Sequence, residues 1–495
     1  MDCEIEALEK NCTWELTTLP AGKKAIGCKW IYKIKRKADG TVDRFKARLV
    51  AKCYNQIEGV DYFDIFSPVA KLVTVRIFIC MATLRNWKLF QVDVNNAFLH
   101  GFLHEEVYMH PPLGYKKAEK GQVCKLKRSL YGLKQASREW NTELCKKLAL
   151  FGLTQSAFDH CLFTMESDGE FLAVLIYVDD VLLTGSSITL IDQFKLFLDQ
   201  EFSIKDMGLA KYFLGVELHS STEGTLLCQH KYVLDLLGDM HMLDCSPAAT
   251  PLPHGMKLQV VDGDLLLQPD LYRRLIGRLL YLNLTRPDIT YATQQLSQFV
   301  TAPCSSHWKA AMHVLRYLRG TPSLGLFYPA TSSFNLEAYS DADWAACKDT
   351  RRSITGYCMT LGGCLISWKS KKQQTISKSS AEAEYRALSS TVSELLWISY
   401  IAKDLLIPIS LPIPLWCDNK AALHITANPV FHERTKHLEI DCHLVRNKFK
   451  DGFVRPCYVS SKLQLADIFT KVLTGGQFHL LASKLGLSLA DRSPT

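Results

Sequence analysis

The sequence predicts an α+β protein of more than one domain, and three observations lead there. At 495 residues the chain exceeds what one ordinary hydrophobic core organises, so two to four domains are expected. Short apolar runs alternate or close on turn residues around Asp39-Gly40 and within FLAVLIYVDDVLLTG (171–185), the pattern of antiparallel hairpins. Stretches with helical spacing separate these runs, and from Leu336 onward strand and helix patterns follow one another again.

Composition narrows the class. Apolar content of 47% with 22% charged residues fits a soluble globular protein. No apolar run reaches bilayer length, 171–178 included. The start MDCEIEALEKN carries no signal-peptide core, so an intracellular, cytoplasmic chain is expected. Seventeen cysteines are scattered with no C-x-x-C spacing. That speaks against a zinc ribbon or a disulfide framework and for small buried hydrophobes in a reducing compartment. The net charge is +8, yet residues 22–53 hold eleven Lys/Arg against Asp39 and Asp43. Trp30, Tyr32 and Phe45 interleave with these cations, which favours a phosphate-backbone surface over a merely solvated hairpin.

In chain order, residues 1–20 are expected to form a short helix ending near Leu19-Pro20. CKWIYKIKRKADGTVDRFKARLVAK (28–52) predicts a hairpin with one cationic face. The spacing predicts a helix over 69–85 and a strand over 89–94. Asp93 stands at the end of that strand, ahead of Asn95-Asn96, with Phe98 on the adjoining turn. SLYGLKQASREW (129–140) places Gly132 and Lys134-Gln135 before a helix. In the hairpin 171–185, Asp179 and Asp180 sit between apolar runs, where like charges repel and burial opposes ionisation. A divalent cation resolves that conflict through carboxylate ligands, whereas a solvated Asp-Asp turn fits the pair taken alone equally well. With Asp93 from a neighbouring strand, three carboxylates could hold two ions.

The segments TWELTTLPAGKKAIGCKWIYKIKRKADGTVDRFKARLVAK, GVDYFDIFSPVAK, QVDVNNAFLHG, SLYGLKQASREW, LIYVDDVLLTG and YFLGVEL, in this order, resemble the reverse transcriptase of copia-type LTR retrotransposons. The resemblance implies a right-hand polymerase, with fingers and palm over 12–255 and a helical thumb or connection over 256–332. It assigns Asp93, Asp179 and Asp180 to a catalytic, metal-binding triad. Two Mg²⁺, with Mn²⁺ as a substitute, would lower the pKa of the primer 3′-hydroxyl and neutralise the triphosphate, roughly 3.5–4 Å apart. Phe98 falls on the aromatic that blocks a 2′-hydroxyl, and Lys46 and Arg48 fall where the triphosphate is gripped. Gln135 and Tyr177 lie beside the incoming nucleotide, and Tyr212 to Leu218 would be a primer-grip hairpin. Two positions depart from the family. Ser137 replaces a usual Pro, and Cys53 stands where Gly is usual. If that position requires φ > 0, Cys costs of order 1 kcal/mol there.

Over 256–332, Arg273, Arg274, Arg278, Arg286, Lys309, Arg316 and Arg319 recur on amphipathic stretches. They read either as a surface that tracks a duplex backbone or as solvated helix faces. From Leu336 the order is strand with Asp341, helix with Glu384, strand with Asp418 and helix with Asp467. A capping box at Ser379–Glu382 opens the long helix. YSDADW, SSAEAEYRAL, LWCDN and LADIFTK resemble the α/β RNase H domain that closes copia-type polyproteins, over 333–475, with 476–495 left as a tail. The resemblance makes Asp341, Glu384, Asp418 and Asp467 the ligands of a second two-Mg²⁺ centre. Glu382 and Asp343 are read as non-ligands. His437 and His443 are read as local or substrate contacts, because a hard ion prefers oxygen. Lys369, Lys371, Lys372 and Lys378 form a backbone-binding patch.

The implied activity is RNA-directed DNA polymerase joined to RNase H. Its partners would be an RNA template, a DNA primer, RNA–DNA hybrid and dNTPs, with no membrane, and with a dimer or polyprotein products as further candidates. A truncated, catalytically weak remnant that only binds nucleic acid is the alternative. A cellular nuclease leaves the triad and Phe98 unexplained.

Overall fold

In the computed structural model, residues 1–36, 41–59, 61–427 and 439–490 are described. The Ala38-Asp39-Gly40 turn and His437 lie outside them. Two compact units emerge, one of residues 1–71 and 89–209, the other of residues 72–88 and 210–495. Among the described residues no helix is long and apolar enough to cross a membrane. All seventeen cysteines are free thiols.

The first unit is built on a six-stranded sheet in the order Ile204–Leu209, Phe90–Val94, Asp180–Gly185, Glu170–Tyr177, Leu162–Ser167, Thr154–Gln155. Every pairing in it is antiparallel. The helices Ala136–Phe151 and Ile188–Phe202 close a core in which Trp140, Leu144, Phe194 and Leu198 meet Val92, Val174, Ile176 and Val181. Local chemistry sets their ends. Gly152 terminates the first helix at φ 104, and the Ser187 hydroxyl accepts from Leu190 N at the start of the second.

The expected helix over residues 1–20 is only half right. A helix covers Asp2–Lys10, but Trp14–Thr18 is a strand paired with Gln122–Arg128. Cys12 breaks the helix with a positive φ of 49, and the β-favouring Trp-Glu-Leu-Thr-Thr run then finds a partner more than 100 residues away, invisible to local periodicity. The basic hairpin forms as expected from Cys28–Arg36 and Val42–Ala51. Its base is clamped where Ala51 N donates to Tyr131 O at 2.7 Å. Gly132, at φ 91, makes that approach possible, since a Cβ there would lie 2.3 Å from Ala51 O. Cys53 opens a short 3-10 turn, Cys53–Asn55, and is not among the residues with positive φ. The cost foreseen for a left-handed cysteine does not arise.

The second unit holds two five-stranded sheets. One is antiparallel, in the order Tyr212–Phe213, Val216–Ser220, Gly224–Cys228, Leu324–Pro329, Leu487–Leu489. Its last strand belongs to the stretch expected to be an uninformative tail. The other runs Cys364–Lys372, Ile354–Leu361, Leu336–Asp343, Ile413–Cys417, Val454–Tyr458. Its first three strands are antiparallel and the rest parallel. The 25-residue helix Ser380–Asp404 packs on this sheet.

Of the arginines of 256–332, Arg286 is spent inside this unit, while Arg273, Arg278 and Arg316 bond at its surface. Arg286 is fully buried and bonds Asp288 at 2.7 Å and Thr321 O at 2.8 Å. It is a structural ion pair and does not face a duplex. Arg273 donates to Val300 O, Arg278 to Asp239, and Arg316 to Ser246 O. Helix Leu72–Leu84, apolar on all sides and almost wholly buried, also belongs here. Arg76 on it bonds Ile366 O at 2.8 Å and stacks over Trp368.

Candidate active sites

In the first unit, the register of adjacent strands makes Asp180 the cross-strand partner of both Asp93 and Tyr177. The turn is tighter than the sequence suggested. It consists of Val178 and Asp179 alone, so Asp179 is a turn residue and Asp180 the first residue of a strand. Val178 takes φ 59, a left-handed conformation that costs a β-branched residue about 1–2 kcal/mol. Two bonds hold it there. Trp140 Nε1 donates to Val178 O at 2.7 Å, and Val94 N donates to Asp179 O at 2.9 Å.

All three aspartates are half-buried. Burial, then the neighbouring Asp179 carboxylate, pushes Asp93 up in pKa, while Lys46, Lys205 and Arg48 pull it back. Burial also raises Asp180, opposed by Gln91 Nε2, which donates to its Oδ1 at 3.1 Å. Carboxylates so crowded fit a divalent cation of the hard, oxygen-seeking kind. Lys46 and Arg48 therefore stand close enough to act on Asp93 electrostatically. On the same hairpin, Lys33 is directly opposite Lys46, a like-charge pair that an anion would relieve.

Phe98 lies on the 3-10 turn Ala97–His100, edge-to-face with Tyr131 at 5.0 Å. The Arg48 guanidinium covers the Tyr131 ring at 4.3 Å. Gln135 is placed differently from the other predicted residues. It is fully buried, with its amide accepting from Gln56 Nε2 at 3.0 Å and donating to Asp61 O at 2.9 Å.

The second centre is deeper. Asp341 is 2% exposed, and Glu384 and Asp467 are each 5% exposed. Asp341, Asp418 and Asp467 each offer a ligand atom within 4.8 Å of the others, as do Glu384, Cys417 and Asp418. Among the described residues, the first centre is not drawn together this tightly. Two small-residue contacts explain the approach. Ala342 meets Ala383 and Ala387, seating the long helix against the strand. Gly356, opposite Asp341 in register, leaves room for the turn that carries Asp467, since a Cβ there would lie 2.5 Å from Thr470 Cγ2. That turn, Leu465–Phe469, is a 3-10 helix and not the α-helix expected.

Burial raises Glu384 well above the carboxylate range, with repulsion from Asp341 and Asp418 adding to it. Burial and then Asp341 push Asp467 up to about 7, against the pull of Lys471. Lys471 Nζ lies 2.9 Å from Asp467 Oδ1 and 3.8 Å from Asp341 Oδ2. The Thr470 hydroxyl donates to Asp341, and Ser461 Oγ donates to Asp418 at 2.7 Å. Glu382 is occupied elsewhere, accepting from Lys378 N and paired with Arg386 at 3.0 Å. His443 is exposed on the helix Glu439–Lys450. Lys369, Lys371 and Lys372 line a cleft of about 340 Å³ together with Arg386, whereas Lys378 is outside that lining.

A family model described as reverse transcriptase (RNA-dependent DNA polymerase) matches residues 11–254. The chain is 44% identical over 490 residues to the retrovirus-related Pol polyprotein from transposon RE1 of Arabidopsis thaliana, covering 99% of this chain and 33% of that protein. It is 36% identical over 500 residues to the one from transposon TNT 1-94 of Nicotiana tabacum, 98% of this chain and 37% of that protein. A putative transposon Ty5-1 protein of Saccharomyces cerevisiae is 34% identical over 309 residues, 61% of this chain and 100% of that protein. The chain belongs to the copia-type retrotransposon Pol family.

This Pol chain spans about a third of the length of the curated plant relatives it matches. Its reverse transcriptase domain contains the whole first centre, while the second lies beyond residue 254, within the stretch shared with the plant Pol polyproteins. The geometry adds residues that the sequence did not single out. Tyr131, Trp140 and Lys205 surround the first centre; Ser461, Thr470 and Lys471 surround the second. Tyr131 stood beside Gly132 and Lys471 in LADIFTK. Lys205 carries no local signal, because only strand register sets it opposite Asp93.

Proposed function

We propose that this chain is an RNA-directed DNA polymerase linked to an RNase H activity, copying retrotransposon RNA and degrading the RNA of the resulting hybrid. The observation that carries the reading is the register pairing of Asp93 with Asp180, with Asp179 in the connecting turn, inside the segment that matches the reverse transcriptase family.

The Mechanism follows from these groups. Asp93, Asp179 and Asp180 would hold two divalent ions, Mg²⁺ by their all-oxygen donor set. When bound, such ions supply charge neutralisation at the attacking and leaving oxygens. Lys46 and Arg48 bind the triphosphate of an incoming dNTP, the guanidinium braced on Tyr131. Phe98, supported by the same tyrosine, closes the space a 2′-hydroxyl would need. Gln135 acts from beneath, fixing the segment around Gln56 and Asp61. Tyr177 sits beside Asp180 and orients the sugar. On the basic hairpin, Tyr32 and Phe45 are 65% and 79% exposed and offer stacking surfaces beside the cations.

In the second unit, fingers, palm and thumb give way to an RNase H-like domain. Its support is the mixed sheet whose parallel-paired strands Leu336–Asp343 and Ile413–Cys417 set Asp341 beside Asp418, with Glu384 of the long helix near Asp418. With Asp467 these groups would hold the second pair of ions. Backbone and 2′-hydroxyl contacts, with no base-edge readout, fit both substrates.

The test is primer extension by the purified chain on poly(rA)/oligo(dT) with dTTP and Mg²⁺, beside an Asp179→Asn/Asp180→Asn control. Extension by the parent alone is expected, and no extension by the parent returns the remnant that only binds nucleic acid. A parallel hybrid-cleavage assay with Asp418→Asn tests the nuclease on its own.

A further inference from the structure

Outside the two acidic centres, one cluster has a different donor set. On the hairpin of Val216–Ser220 and Gly224–Cys228, Glu217 and Cys228 are cross-strand partners. His219, two residues along, projects from the same face as Glu217. A ligand atom of each lies within 4.8 Å of the other two. His219 Nε2 is 3.7 Å and Cys228 Sγ 3.9 Å from the same oxygen, Glu217 Oε2. In a tetrahedral zinc site, bond lengths of about 2.0–2.3 Å place neighbouring ligand atoms roughly 3.3–3.6 Å apart. Both distances to that oxygen are thus within a few tenths of an ångström of ligand spacing, and the imidazole and thiol, within 4.8 Å of each other, complete the triangle.

We propose that Glu217, His219 and Cys228 form a zinc site that ties the two strands of this hairpin. A further contact shapes the ligand set. Lys231 N, at the start of the helix His230–Asp239, donates to Glu217 Oε1 at 2.8 Å. That bond turns the other carboxylate oxygen toward His219 and Cys228, as outer partners of metal ligands do. Cys228 is fully buried while the His219 side chain is 56% exposed. The ion would therefore be enclosed on the sulfur side and keep its fourth position toward water, the open three-ligand arrangement. Sulfur and imidazole select zinc over Mg²⁺, so this site draws on a different ion from the all-carboxylate centres. As the sulfur–zinc bond forms, the Cys228 thiol passes its proton to solvent.

The competing account is a hydrogen-bonded trio, with thiol and imidazole both donating to Glu217. Titrating the metal-free full chain with Co²⁺ separates the two. Beyond any Co²⁺ that fills the acidic centres and that excess Mg²⁺ displaces, one equivalent should give a thiolate-to-cobalt charge-transfer band that Zn²⁺ displaces and excess Mg²⁺ does not. Cys228→Ser should abolish the band. His219→Ala, at an exposed position with circular dichroism unchanged, should weaken Co²⁺ binding at least about tenfold. Absence of the band in the parent chain, or a band that survives Cys228→Ser, overturns the proposal.

Discussion

In the first acidic centre the carboxylates come from two neighbouring antiparallel strands and the turn beside them, half-open to solvent, and their balancing cations sit on other elements. Lys46 and Arg48 belong to a hairpin and Lys205 to an edge strand. In the second centre, strand, long helix and 3-10 turn bring three buried carboxylates to the half-buried Asp418, and the balancing cation, Lys471, lies four residues from Asp467 in the same segment. The difference is one of completeness. The second centre is compact and partly neutralised from within the segment that carries Asp467. The first draws its cations from other elements, Lys46 and Arg48 from the basic hairpin and Lys205 from the edge strand. In the proposed reading, the first geometry suits a substrate that brings its own charge, and the second a duplex backbone.

The strongest way to break this comparison is to inactivate each centre alone. Asp179→Asn/Asp180→Asn should lower primer extension by about a thousandfold or more while hybrid cleavage persists, and Asp418→Asn should do the reverse. Loss of both activities from either change would mean that the centres are not separate. A smaller effect is expected at the displaced cations. Arg48→Ala should raise the KM for dNTP by about ten- to a hundredfold with cleavage untouched, the scale of a lost charge-assisted bond. An unchanged KM would remove Arg48 from the nucleotide site. Phe98→Ala should raise incorporation of rNTP relative to dNTP about tenfold, measured by competition on one template; unaltered selectivity would end its gating role. The smallest effect concerns Lys471. Its side chain is partly exposed, so Lys471→Gln should cost only about 1 kcal/mol in metal-free denaturant melts. Added Mg²⁺ should then stabilise the variant more than the parent; equal stabilisation would show that the lysine does not stand in for a cation.

Much of both centres was legible in the chain, because carboxylates between apolar runs have few uses. Asp93, Asp180 and Asp341 fall on the strands that the patterns placed them on or beside, Asp179 in the hairpin turn and Asp418 just after its strand. What escaped depends on pairing across long separations. Lys205 gains its meaning only from register with Asp93, and Trp14–Thr18 is a strand only because Gln122–Arg128 is there to receive it. Val178 runs against its own propensity; no β-branched preference predicts φ 59. Tertiary bonds from Trp140 and Val94 override it. Arg286 misled in the opposite sense, since a cation on an amphipathic stretch gives no hint that Asp288 two residues on will bury it.

Helix Leu72–Leu84 has a practical consequence. Its sequence position is inside the reverse transcriptase match, yet its buried side chains, Ile77, Phe78, Ile79 and Met81 among them, are packed within the other compact unit. The polymerase portion is therefore not a beads-on-a-string module. Expressed as residues 1–255, it would strip this apolar helix of the strands Leu324–Pro329 and Cys364–Lys372 that cover it, a ready nucleus for aggregation. During synthesis the same helix must wait for strands such as Leu324–Pro329 and Cys364–Lys372 to leave the ribosome. The chain is thus woven rather than concatenated, and any dissection of it has to cut around that helix.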